Sequence, residues 1–145
     1  MRVTKLVEDW SGGNRTPTAG WTMTTTATAT TGSTVSVLPA RDPSQVTGAD
    51  GTATWQVLFG GASQRGRVTV AETAQSGFRY QSLVCTVNGT AASTTVTTVG
   101  NQVRGAINVD VAPGGVVECV YANRPVATLS LVKNVSFGGA APSLW

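Results

Sequence analysis

Residues 2–9 read RVTKLVED, and their alternation of apolar and polar side chains is typical of a half-buried β-strand. Successive side chains on a strand point to opposite faces, so Val3, Lys5 and Val7 share one face. Lys5 therefore brings an ammonium group to an otherwise apolar surface. Because a lone buried charge is very costly, this lysine needs a partner or a chemical role.

Similar alternating stretches, rich in Thr, Val and Ala, recur along the chain, and Gly, Pro, Asn and Asp separate them. No segment longer than two turns keeps a helical period of hydrophobic residues. The sequence therefore predicts an all-β protein, an Ig-like β-sandwich of about 7–9 mostly antiparallel strands. The predicted strands are 2–8, 21–40, 52–60, 67–73, 74–87, 93–99, 105–111 and 114–125, with loops at 11–20 and 41–51.

The composition narrows the classes of function. The 145 residues carry a net charge of +3 and no histidine, which excludes Ser-His-Asp and Cys-His catalysis. Basic residues are scattered and are not interleaved with aromatic ones, so no nucleic-acid partner is expected. Two cysteines without histidine are too few for a structural zinc site, and we expect neither a metal nor a cofactor. No apolar run is long enough to span a membrane.

Both cysteines, Cys85 and Cys119, lie in predicted strands. A disulfide between them is the favoured interpretation, and it implies an oxidising compartment. Such a bond would stabilise the fold by roughly 3 to 4 kcal/mol in the chain-entropy model. Two buried free thiols in a cytosolic protein remain the alternative.

Residues 126–145, VATLSLVKNVSFGGAAPSLW, resemble the beginning of the chain. Leu129, Leu131 and Lys133 repeat the opening pattern of apolar residues and a lysine at a period of two. KNVSFGG echoes KLVEDWSGG, and each segment then runs through Pro to Trp. The sequence therefore predicts a β-sandwich domain over residues 1–125. Residues 126–145 would be an extra strand and loop, either the start of a following repeat or a strand donated to a neighbouring subunit.

Two further strands carry a polar residue in phase with apolar ones, as the first strand carries Lys5. Val68 and Val70 precede Glu72, and a second such face leads to Asn123. We therefore expect Lys5, Glu72 and Asn123 to meet in the core. Burial would favour the neutral amine of Lys5 and a protonated Glu72. The amine could then attack the side-chain amide of Asn123, with Glu72 as the proton shuttle, and release ammonia.

Less reactive interpretations of these residues stay open. Lys5 could extend past the strand edge to solvent, or form an ordinary salt bridge with Glu72. Asn123 could cap a turn before Pro125. Trp21 and Trp55 are expected to anchor the core, because large aromatic side chains dominate core energetics.

The stretches VTKLVEDWSGG, GADGTATWQVLFGG, RVTVAET followed by SGFRY, and VVECVYANRP resemble a known family. It comprises the prealbumin-like domains, also termed SpaA-like or Cna B-type, of Gram-positive bacterial surface proteins and pilins. The resemblance covers about residues 2–125. It implies an isopeptide bond between Lys5 and Asn123, with Glu72 as its catalytic residue.

The resemblance also implies a function. We expect a non-enzymatic structural module of a stalk, adhesin or pilin, located outside the cell or on its surface. Its partners would be neighbouring copies or domains, or a host or cell-wall protein or glycan. The alternatives are a filament subunit that donates its C-terminal strand, and a glycan- or protein-binding module that uses the loops at 41–51 or 60–67.

Overall fold

A computed structural model describes residues 1–32, 34–40, 43–127 and 130–132. These residues form strands and connecting loops, and none of them forms a helix able to cross a membrane. The strands are β1 (Arg2–Glu8), β2 (Arg15–Pro17), β3 (Thr22–Thr31), β4 (Val35–Leu38), β5 (Ser44–Val46), β6 (Thr52–Thr54), β7 (Gln56–Phe59), β8 (Arg65–Thr73), β9 (Phe78–Val87), β10 (Thr90–Ala92), β11 (Thr94–Val99), β12 (Gln102–Ile107) and β13 (Val117–Pro125).

The strands form two facing sheets and a small third one. The first sheet has the order β10-β9-β13-β1-β2, with β6 also paired to β1. The second sheet has the order β11-β12-β8-β3-β5, and β4 pairs with β7 alone. Strands β1 and β13 run parallel, and the other strand pairs in the described part of the chain are antiparallel. The predicted all-β sandwich is confirmed.

The described residues contain more strands than expected, because two predicted strands are broken and three short strands, β2, β5 and β10, lie outside the predicted ones. The stretch 21–40 divides at Gly32, whose φ of 82° suits a glycine, into β3 and β4. The stretch 52–60 divides at Trp55 into β6 and β7, which join different sheets. The short strands β2 and β5 lie within the predicted loops, where they extend one edge of each sheet.

The core lies between the inward faces of the two large sheets. Trp21 and Trp55 are both buried in it. The Tyr121 side chain spans the gap between the two sheets. Its hydroxyl oxygen lies 3.0 Å from the carbonyl oxygen of Val70 and 3.1 Å from that of Val103. The apolar core residues are Val3, Trp21, Met23, Ala53, Trp55, Val68, Val70, Leu83, Cys85, Val103, Ile107, Val111, Val117, Cys119 and Tyr121.

Cys85 and Cys119 lie directly opposite each other on β9 and β13 and form a disulfide. Their Cα atoms are 4.1 Å apart, close to the spacing of an antiparallel pair that exchanges no backbone hydrogen bonds. The predicted disulfide is thus present, as a tie between neighbouring strands. Both sulfur-bearing side chains belong to the core.

The C-terminal segment leaves the sandwich soon after β13. The Val126 amide donates a hydrogen bond to the carbonyl oxygen of Gly77 at 2.9 Å. Further on, Leu131 and Val132 are 89% and 87% exposed. Leu129, Lys133 and the remainder of the predicted repeat lie outside the described residues.

Candidate functional site

Three polar side chains meet in the middle of the core. Lys5 and Glu72 are 0% exposed and Asn123 is 2% exposed. The Lys5 Nζ donates to Glu72 Oε2 at 2.6 Å, and the Asn123 Nδ2 donates to Glu72 Oε1 at 2.6 Å. One carboxylate from the second sheet therefore bridges an amine and an amide on neighbouring strands of the first sheet.

The parallel pairing of β1 and β13 brings the amine and the amide together. Lys5 lies opposite Tyr121, and Val7 lies opposite Asn123. Between Ala122 and Asn123 the pairing of β13 with β9 shifts by one residue and passes over Gln81. The extra residue, Gln81, belongs to β9, and Asn123 keeps the inward face that Cys119 and Tyr121 occupy on β13.

Trp21 covers the Lys5 ammonium, whose Nζ lies 4.0 Å from the centroid of the indole ring. This cation–π contact favours the charged amine. Burial acts in the opposite direction and dominates, so that the pKa of Lys5 is lowered to about 8 despite the charge and hydrogen bond of Glu72. Neutral amine is therefore accessible near neutral pH.

Hydrogen bonds fix the backbone of Trp21, and a neighbouring ring packs against its indole. The Trp21 backbone amide donates to the Thr47 Oγ1 at 3.1 Å, and that hydroxyl donates to the carbonyl oxygen of Thr18 at 2.9 Å. The ring of Phe78 packs edge-on against Trp21, with centroids 5.2 Å apart.

Tyr121, which is also buried near the site, stays neutral, because burial raises the pKa of its phenol. Aromatic side chains thus shield the site from water.

The Asn123 side chain has one unsatisfied atom. Its Oδ1 is buried and has no hydrogen-bond partner among the described residues. Rotation of the Asn123 amide by half a turn would exchange the positions of Oδ1 and Nδ2 and bring Oδ1 to face Glu72. A protonated Glu72 would then donate to Oδ1 and polarise the amide carbon. The site can therefore place an acid, an amine and an electrophilic carbon together.

The Lys5 backbone is fixed by a glycine on the adjoining loop. The Lys5 amide donates to the carbonyl oxygen of Gly51 at 2.8 Å, and the Thr18 amide donates to that of Lys5 at 3.0 Å. Gly51 has a φ of 72°, and a Cβ there would lie 2.7 Å from the Lys5 carbonyl oxygen and 2.8 Å from the Thr18 nitrogen. Both of these atoms belong to the backbone and cannot rotate away.

Replacing Gly51 with alanine is expected to lower the free energy of unfolding by about 2–3 kcal/mol, because backbone strain and a steric clash add. Gly20→Ala is the matched control, since Gly20 has a φ of 82° and nothing within 4 Å of its added Cβ. The control should lose only the strain, about 1 kcal/mol. Urea unfolding of both variants measures the difference, and equal losses would contradict the close approach of Gly51 to Lys5.

A second charged cluster, which the sequence analysis missed, lies beside the first. By the alternation of β1, Glu8 belongs to the face opposite Lys5, and the structure buries it between two arginines. Arg124 donates to its Oε2 at 3.0 and 2.8 Å, and Arg15 donates to its Oε1 at 3.0 and 2.7 Å. These contacts, Arg124 foremost, lower the pKa of Glu8. The cluster joins the ends of β1, β2 and β13, one residue beyond Asn123.

No family model, curated protein or solved structure matches the chain. Within the described ranges, no group of three or more Cys, Asp or Glu side chains is arranged to hold a metal ion. The functional conclusion therefore rests on the contacts among Lys5, Glu72 and Asn123.

Proposed function

We propose that the chain is a structural module of an extracellular protein, a stalk, adhesin or pilin, in which an isopeptide bond joins Lys5 to Asn123. The bond would form once, by the protein's own chemistry, and would not turn over. The observation that carries the proposal is the Glu72 carboxylate, which contacts both reactants at 2.6 Å in a buried site. The resemblance to prealbumin-like surface domains leads to the same three residues.

The reaction balances within these three side chains. Glu72 takes a proton from the Lys5 ammonium, and the neutral Nζ attacks the Asn123 Cγ. The carboxylic acid of Glu72 stabilises the developing charge on Oδ1 and then protonates Nδ2. The Cγ–Nδ2 bond breaks, ammonia leaves, and the Nζ–Cγ amide remains. Glu72 then accepts the second proton of Nζ and passes it to the departing ammonia, which leaves as ammonium, so Glu72 ends as a carboxylate.

Proximity supplies much of the rate. The fold holds the amine and the amide in one pocket, so an otherwise bimolecular step becomes intramolecular. The surrounding aromatic side chains exclude water, which would otherwise compete for the hydrogen bonds of Glu72. A plain salt bridge between Lys5 and Glu72 uses the same contacts without the covalent step. The mass of the protein distinguishes the isopeptide bond from the plain salt bridge.

Intact mass spectrometry of the denatured, reduced protein is the test. We expect the wild type to be lighter than its sequence by one ammonia, and Glu72→Gln to keep the full mass because it lacks the proton shuttle. Glu118→Gln is the matched control: this residue is exposed on β13, and its variant should lose ammonia like the wild type. A wild type of full mass would leave only the salt bridge.

Peptide mapping must accompany the mass, because the Asn88-Gly89 turn offers a competing loss of ammonia through succinimide formation. The proposal requires a branched peptide that joins Lys5 to Asn123. It is contradicted if the lost mass maps to Asn88, an exposed residue with a φ of 51° at the β9–β10 turn.

The disulfide supports the proposed location outside the cell. Disulfides persist in oxidising compartments and are rare in the cytosol. Cys85–Cys119 ties β9 to β13, and the proposed isopeptide bond would tie β13 to β1. Together the two links would connect three adjacent strands of the first sheet covalently, which suits a module whose role is to remain folded and resist proteolysis.

The exposure of Leu131 and Val132 favours a further role for residues 126–145. These apolar side chains do not pack on the sandwich, and they belong to the segment that repeats the β1 pattern. The segment would begin a following copy of the domain, or complete the sheet of a neighbouring subunit. The first version gives a monomer in solution and the second gives a filament.

A further inference from the structure

Strand β11 forms an open edge of the second sheet. In the described part of the chain it pairs only with β12. The Asn108 amide donates to the Ser93 carbonyl oxygen at 2.9 Å, which makes Thr94 and Ile107 a pair without mutual hydrogen bonds. Hydrogen-bonded and non-hydrogen-bonded pairs alternate along two antiparallel strands. The backbone N–H and C=O groups therefore point away from β12 at Thr94, Val96 and Thr98.

Strand β11 lacks the features that usually keep an edge strand from pairing with another chain. Natural edge strands are shortened, charged, bulged or interrupted by proline, because an open edge recruits other strands. Strand β11 has six residues, TTVTTV, without charge, proline or glycine. The opposite edge of the second sheet differs, since β5 has only three residues, Ser44–Val46, and follows directly after Pro43. No charged residue occurs between Arg79 and Arg104.

We propose that β11 of one copy pairs antiparallel with β11 of a second copy. The two five-stranded sheets would then join into one continuous sheet across a twofold axis. This inference stands apart from the isopeptide chemistry, which lies in the interior. The proposed contact is a β-strand addition, in which main-chain hydrogen bonds provide the affinity.

A second copy suits this edge better than a charged partner does. A twofold axis places the same strand opposite itself, and a neutral strand meets no like charge there. The TTVTTV repeat places threonine and valine on both faces, so threonine hydroxyls can pair across the axis. Val96 is 37% exposed although its side chain lies on the inward face, and the neighbouring strand would cover it.

The test is sedimentation equilibrium of the full chain from micromolar to about millimolar concentration. We expect a monomer–dimer equilibrium. Thr98→Pro removes an outward N–H from each copy, so the dissociation constant should rise at least about tenfold for two lost hydrogen bonds. Thr97→Lys brings two ammonium groups close across the axis and should also weaken the dimer.

Two controls make the result specific. Thr26 is exposed on the outer face of β3, a strand that has a neighbour on each side in the sheet. Thr26→Lys adds the same charge there and should leave the dimer intact. An equimolar mixture of Thr97→Lys and Thr97→Glu should dimerise where each variant alone does not. A wild type that stays monomeric overturns the proposal. A dimer indifferent to both Thr97→Lys and Thr98→Pro overturns it as well, since association then uses another surface, such as residues 126–145.

Discussion

Replacing Lys5 with methionine is expected to lower the free energy of unfolding by about 3–5 kcal/mol. Methionine fills a similar volume, so the loss measured against chains that have not formed the isopeptide bond is electrostatic: the Glu72 carboxylate stays in the core without its cation. Both side chains of this ion pair are 0% exposed, so water cannot replace the missing partner. The remaining hydrogen bond from Asn123 cannot neutralise a charge.

Adding Glu72→Gln to Lys5→Met should restore part of this stability. Glutamine keeps an oxygen that accepts from the Asn123 Nδ2 but carries no charge. Neither variant can form the bond between Lys5 and Asn123, so the comparison isolates the buried carboxylate. Urea unfolding at pH 7 of the single and double variants is the measurement. A double variant less stable than Lys5→Met alone would show that Glu72 is not held as a charge in the core.

Removal of the disulfide, by Cys85→Ala together with Cys119→Ala, is expected to cost about 3–4 kcal/mol of unfolding free energy. The bond closes a loop with a sequence separation of 34, and the oxidised unfolded chain has correspondingly less conformational entropy to regain. Both cysteines are buried in the core, so the smaller alanines also leave unfilled space there.

The measurement is urea unfolding of the double alanine variant and of the wild type, each with and without reductant. Reductant should lower the unfolding midpoint of the wild type and leave that of the variant unchanged. Measuring both proteins also with Glu72→Gln removes any contribution from the proposed isopeptide bond. An unfolding midpoint of the wild type that is unaffected by complete reduction would contradict the expected role of the disulfide.

The alternation of the sequence was sufficient to place the central residues. Lys5 follows Val3 at a spacing of two, and Glu72 follows Val68 and Val70 in the same way, so their side chains had to share the buried face. The structure buries both. Asn123 continues the face of Cys119 and Tyr121, although a bulge that no sequence pattern indicates shifts the pairing beside it.

Other features depend on contacts between distant segments and could not be predicted from local pattern. Glu8 alternates away from Lys5, yet it is buried between Arg15 and Arg124, the second of which lies 116 residues later. The break at Trp55 arises because β6 pairs with β1 while β7 pairs with β4. The direction of pairing between β1 and β13 is likewise a property of the whole topology.

That parallel pairing has a mechanical consequence. Arg2 lies beside Glu118 and Val7 lies beside Asn123, so the chain enters at one end of the two strands and leaves at the other. A force that pulls the two ends apart slides β1 along β13 and loads all the hydrogen bonds between them at once. Peeling, which would break them one by one, is not available in this geometry. The parallel pair β1–β13 therefore resists extension by shear, independently of the proposed isopeptide bond.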